Sequence, residues 1–73
     1  MKFMEGADPK SRILLAAAEL FAEHGFAGAS FDEIARRAGV NKAMLYYYVG
    51  DKGELFSAVL SEAIEALRAL LER

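Results

Sequence analysis

The turn at Ala38-Gly39-Val40 constrains this chain more than any other feature. It separates two short amphipathic runs, Ile34–Ala38 and Lys42–Tyr47. Two short helices joined this tightly must cross at a steep angle, the geometry of a helix-turn-helix. Three consecutive tyrosines, Tyr46, Tyr47 and Tyr48, close the second run, and Asp51 and Lys52 follow. Hydroxyls and cations grouped around a second helix suit a phosphate-bearing partner better than a small-molecule pocket.

The remaining sequence decides what can hold such a turn. Seventy-three residues allow one small domain. A single core of this size supplies only ~3–5 kcal/mol unless something staples it. The chain has no cysteine and one histidine, so neither a disulfide nor a Cys/His metal site is available. The apolar fraction is 55%, much of it alanine, which has the best helix propensity and a poor strand propensity. The fold expected is all-α: a three-helix bundle containing a helix-turn-helix, plus a long fourth helix.

Helix ends are marked along the whole chain. Residues 1–8 read as a loose arm, and Asp8-Pro9 as an N-cap followed by proline at the first helical position. Ile13, Leu14, Ala17, Leu20 and Phe21 then share one helical face. Gly25 is a natural stop, placing His24 in the last turn of a helix over about 9–24, where the helix dipole favours an imidazolium. No neighbour orients His24 for catalysis. Ser30 and Glu33 match a capping box for a helix over about 31–38, with Phe31, Ile34, Ala35 and Ala38 inward. Gly39 makes the turn, Val40 plugs the core beneath it, and Asn41 caps a helix over 42–48. Gly50 breaks that helix, and Asp51 caps a fourth running over 51–73.

The fourth helix carries a separate message. Leu55, Phe56, Val59, Leu60, Ala63, Ile64, Leu67, Leu70 and Leu71 form a stripe wider than one small bundle needs. Some twenty residues at about 1.5 Å each outreach the other helices, so the distal half, Ile64 to Leu71, is expected to project. Wide exposed apolar stripes are usually interfaces.

Charge is uneven. The formal net charge of −2 counts against a nonspecific nucleic-acid binder. Between Arg36 and Lys52, however, four cations (Arg36, Arg37, Lys42, Lys52) face one anion, Asp51, and from Gly53 onward acids prevail. A positive patch on an acidic body still steers towards phosphate. No apolar run is long enough to cross a membrane and the first residues lack a signal-peptide core, so a cytoplasmic location is the default.

In a helix-turn-helix the second helix enters the major groove N-terminus first. That end offers Asn41, Lys42, Ala43 and Met44. Lys42 can donate to guanine or to phosphate, Ala43 can touch a thymine methyl or simply allow close approach, and Met44 offers apolar contact. Asn41 reads first as a cap. On this helix Leu45 and Tyr48 share one side, while Tyr46 and Tyr47 turn outward by about 100° and 200°. Tyr47 is the best groove contact, Tyr46 suits the protein–DNA boundary, and Tyr48 can rest on the core with its hydroxyl towards phosphate. The bland alternative is that all three tyrosines complete a core. Ser30 and Lys52 sit at helix starts, where N–H groups favour anions. Arg36 and Arg37 read equally well as solvated charges.

One further pattern joins these pieces. Arg12-Ile-Leu-x-Ala-Ala-x-x-Leu-Phe-x-x-x-Gly25, Ser30, Ile34-Ala35, Ala38-Gly39-Val40, Leu45-Tyr46-x-Tyr48 and Lys52-x-x-Leu55 together resemble the N-terminal domain of TetR-family transcriptional regulators over about residues 10–60. The resemblance implies that Ser30, Asn41, Lys42, Ala43, Tyr46, Tyr47, Tyr48 and Lys52 occupy DNA-contacting positions. Three residues depart from the pattern. Val49 stands where phenylalanine is common, Ala29 where a second hydroxyl is common, and Gly53 where a helix former is common. The first two are expected to keep the fold and trim one phosphate contact. Gly53 is expected to cost at most ~1 kcal/mol.

The resemblance also implies a continuation: an all-helical domain that binds a small-molecule effector and dimerises, beside which this chain reads as a fragment or minimal module. The expected function is sequence-specific binding of double-stranded DNA, probing a palindromic operator as a homodimer in a repressor. The rival is a helical protein–protein module using the fourth helix. No nucleophile–base pair, paired carboxylates or metal-ligand cluster can be assembled, so neither an enzyme nor a cofactor is expected.

Overall fold

The computed structural model describes residues 8–72, which form four helices and no strand. These are α1 (Pro9–Gly28), α2 (Phe31–Ala38), α3 (Lys42–Val49) and α4 (Lys52–Leu71). The all-α class expected from alanine content and periodicity is the one observed. Of the N-terminal arm only Asp8 falls within the described residues.

Each helix begins as its first residues dictate. Asp8 Oδ1 accepts the Ser11 backbone N–H at 2.7 Å, with Pro9 just inside the helix. That hydrogen bond, supported by the Ser11 hydroxyl, holds the Asp8 carboxyl below its ordinary range. At α2, Ser30 Oγ accepts from the Glu33 N–H at 3.1 Å. The reciprocal half of the expected capping box is replaced: the Glu33 carboxylate accepts from Arg36 Nη1 at 3.1 Å. The full box forms instead at α4, where Glu54 N–H donates to Asp51 Oδ1 at 2.8 Å and Asp51 N–H to Glu54 Oε1 at 3.0 Å. The difference is chemical. Glu33 has a cation one turn along, and a charge-assisted bond wins; Glu54 has Ser57 and Ala58 there.

Gly25, Gly39 and Gly50 leave the helical region with positive φ, and the first two shape the fold most directly. Gly25 adopts φ 76°, ψ 173°, so α1 breaks where a stop was expected, but one further turn to Gly28 follows the break. That turn sets the Phe26 ring against Phe21 (5.9 Å between centroids) and Phe56 (5.1 Å). Gly39 adopts the left-handed conformation, φ 75°, ψ 33°. Its N–H donates to the Arg36 carbonyl and the Val40 N–H to the Ala35 carbonyl at 3.0 Å, the paired bonds of a Schellman motif. Reversing the chain this way requires the region that only glycine enters freely.

Four helices meet in one core. Ile13 and Leu20 of α1, Ile34 of α2, Leu45 of α3 and Leu55 of α4 are fully buried, and Ala16, Ala17, Ala35 and Ala38 let the helices approach closely. Leu14, Phe31, Val40, Tyr48, Phe56 and Val59 pack partly around them. Ala29 is also buried, at 1% exposure. Its methyl belongs to the core cluster, so the position carries packing as well as whatever contact a hydroxyl would add. From Leu60 to Leu71 every residue of α4 is exposed, so the distal half projects as its length requires.

Candidate nucleic-acid interface

Eight residues make α3, and only one of its side chains, Leu45, is fully buried. Leu45 pins the helix to the core; the cap orients its start. Asn41 Oδ1 accepts the Met44 N–H at 2.8 Å, which uses the carbonyl oxygen of the amide and leaves its N–H groups as donors. Lys42 and Ala43 are exposed and Met44 is half-buried.

The tyrosines separate as the helical angles require. Tyr48 is half-buried against the core. Tyr46 is 52% exposed and Tyr47 83% exposed, so a shared role in the core is excluded. Tyr47 makes an edge-to-face contact with Tyr48, at 5.1 Å between ring centroids. Tyr46 leans on Phe31 of α2 at 4.8 Å.

The cations of the segment are not free charge. Lys42 Nζ lies 3.0 Å from Asp32 Oδ1. This partner raises the lysine above its usual range, chiefly through the hydrogen bond. Arg36 pairs with Glu33, and Arg37 bridges to Glu23 (3.2 Å) and Glu19 (3.5 Å) on α1. Glu23 is also the main reason the Arg37 guanidinium sits above its ordinary value. Lys52 rests 4.7 Å over the Phe26 ring, where the aromatic quadrupole attracts it. The positive patch counted along the segment is thus largely met by carboxylates contributed from outside it.

The first turn of α2 meets α3: Phe31 and Asp32, next to the Ser30 cap, touch Tyr46 and Lys42 respectively. Lys52 has a different neighbour, the aromatic cluster at the end of α1. Neither Phe31 nor Asp32 was expected at this surface as a partner of α3. Nothing local marks them, because the pairings depend on how α2 crosses α3.

The match to known proteins covers this arrangement. The model of the bacterial regulatory proteins of the tetR family matches residues 13–59, from the buried face of α1 to the last core residue of α4. The chain belongs to this family. Its helix-turn-helix is a TetR-type DNA-binding domain. An HTH-type transcriptional repressor of Streptomyces coelicolor is 50% identical over 62 residues, covering 81% of this chain and 32% of the repressor. The HTH-type transcriptional activator FasR of Mycolicibacterium smegmatis is 43% identical over 58 residues, 80% of this chain and 26% of the activator. The HTH-type transcriptional regulator RutR of Escherichia coli is 40% identical over 63 residues, 86% and 30% of the two chains. The TetR-family chain here therefore spans about a third or less of the curated relatives it matches.

Proposed function

We propose that this chain is the reading head of a TetR-family transcriptional repressor and binds double-stranded DNA in a sequence-specific manner, with α3 entering the major groove N-terminus first. The observation that carries the reading is the outer face of α3. An eight-residue helix that presents Tyr47 at 83% exposure, beside Tyr46, Ala43 and Lys42, keeps large side chains in water where a core would bury them. Such a face suits a groove whose walls are phosphate and whose floor is base edges.

Roles divide by reach and chemistry. Lys42 and Tyr47 are the base-side contacts, with Ala43 and Met44 as apolar neighbours for a thymine methyl. Ser30, Asn41, Tyr46, Tyr48 and Lys52 meet the sugar-phosphate backbone, using hydroxyl, amide and ammonium donors. In the longer regulator two such heads act as a homodimer on a palindromic operator, and half-site spacing follows from the separation of the two α3 helices. A small-molecule effector, bound by a further domain, changes that separation.

The exposed apolar face of α4, with Leu60, Ile64, Leu67, Leu70 and Leu71 all exposed, supports a second role as an interface within the longer protein. An open groove of about 900 Å³ between α1 and α4, lined by Leu14, Leu15, Ala18, Val59 and Ala63, continues that surface towards Tyr48. Among the described residues no helix is long and apolar enough to cross a membrane.

Titration of the chain against duplex DNA at two salt concentrations tests the main reading. Binding that weakens steeply with salt is expected. No binding at low salt, or binding indifferent to salt, would reduce the chain to a protein–protein module.

A further inference from the structure

The geometry points to Asp32 as a positioning residue that holds Lys42 against α2 and so sets how sharply the head discriminates a matching duplex from any other. The inference rests on the DNA-binding reading above. Asp32 Oδ1 and Lys42 Nζ, 3.0 Å apart, join the first turn of α2 to the first turn of α3. One residue earlier, Phe31 sets its ring 4.8 Å from Tyr46, which lies one helical turn along from Lys42. Consecutive residues of α2 therefore hold two positions on one stripe of α3, since residues four apart share a helix face. The ring contact sets the rotation of α3. The carboxylate sets the direction of the single cation that α3 carries.

An acid near a face that must meet phosphates needs a reason. The dipole of α2 favours an acid in its first turn, and Glu33 already supplies one. Neither fact accounts for the reach of Asp32 to another helix. An ammonium has three donors and no acceptor, so Lys42 can keep one bond to Asp32 while giving another to an acceptor on a base edge. Held this way, it points at one place in the groove. On a duplex lacking that acceptor, Lys42 must swing to a phosphate and leave the Asp32 carboxylate beside a polyanion. Asp32 therefore disfavours the wrong complex and leaves the right one intact, which is specificity obtained through repulsion.

The test uses the whole chain and two probes: a duplex recovered by selection with the wild type from a random pool, and a random-sequence duplex of equal length. For Asp32→Asn, affinity for the random duplex should rise about two- to fivefold, the scale of an exposed ion pair. Its salt dependence there should steepen by about 0.9 in the log–log slope, one added phosphate contact. Affinity for the selected duplex should stay level or fall, and Asp32→Glu should restore the wild-type ratio. In a Lys42→Ala background, Asp32→Asn should leave the ratio unchanged. An unaltered ratio and slope in Asp32→Asn, or an equal change without Lys42, would overturn the assignment. Thermal unfolding of each variant separates these effects from loss of fold. If the wild type binds neither duplex, the DNA-binding reading fails and this inference with it; if it binds and Asp32→Asn behaves identically, only the role of Asp32 fails.

Discussion

The Nε–H of Arg12 donates to the carbonyl oxygen of Ala38 at 3.0 Å, joining the first turn of α1 to the last residue of α2. The carbonyls at a helix C-terminus lack intrahelical partners, and a cation there also faces the negative end of the helix dipole. Arg12 thereby fastens α1 to the entrance of the turn on which the orientation of α3 depends. Arg12→Ala should lower stability by ~1.5–3 kcal/mol, the range for a hydrogen bond with a charged donor. Urea unfolding should show a lower midpoint with the slope unchanged; an unmoved midpoint would remove Arg12 from the account.

The two faces of α3 should respond oppositely to truncation. Leu45 is fully buried, and Leu45→Ala should cost ~2–5 kcal/mol through lost burial and a residual cavity. That approaches the whole stability of a domain this small, ~3–5 kcal/mol, so circular dichroism at room temperature should show substantial loss of helix. Tyr47→Ala should leave the melting temperature nearly unchanged while weakening binding to the selected duplex about fivefold or more, as aromatic anchors do. A destabilised Tyr47→Ala would mean that its ring packs on more than the edge of Tyr48.

Lys42 and Lys52 should differ in kind. Lys42→Ala is expected to relax sequence preference at one or two positions in a repeated selection, because it would remove the proposed base-side donor. Lys52→Ala is expected to weaken all duplexes about equally and to flatten the salt dependence by about one contact. Altered preference in Lys52→Ala would exchange the two roles.

Acid should loosen α1 through Asp8. Its folded carboxyl lies below the ordinary 3.8 because the Ser11 N–H and hydroxyl favour the charged form. A depressed folded value means that stabilisation is complete above the unfolded value and is lost as pH falls through the folded one. Asp8→Asn keeps the capping oxygen without the charge. Melting temperatures of the two proteins should differ at pH 5–7 and converge as pH drops below about 3.8 towards 2. A gap that persists unchanged to the acid limit would assign the cap's contribution to shape alone.

Much of this architecture could be read along the chain because its instructions are local. Asp8, Ser30, Asn41 and Asp51 each accept from an N–H three residues on, and Gly39 reverses the backbone using carbonyls from the preceding turn. Bonds that close over three to five residues need no knowledge of where other helices lie. The outward turn of Tyr46 and Tyr47 follows equally from the helical angle once Leu45 is assigned to the core, and the projecting half of α4 follows from its length.

The pairings that shape the surface were of another kind. Arg37 with Glu19 and Glu23, Lys42 with Asp32, and Arg12 with Ala38 all connect residues far apart in sequence. So does the burial of Ala29, which has no period to betray it. Each depends on the angle and separation at which two helices cross, and the chemistry at either end is equally compatible with solvent. Composition, caps and periodicity were enough to specify four helices, their core faces and an outward-facing α3. Which carboxylate meets which cation, and how much positive charge remains for a duplex, followed only from packing the helices together, because an ion pair is set by distance in space and a capping bond by distance along the chain.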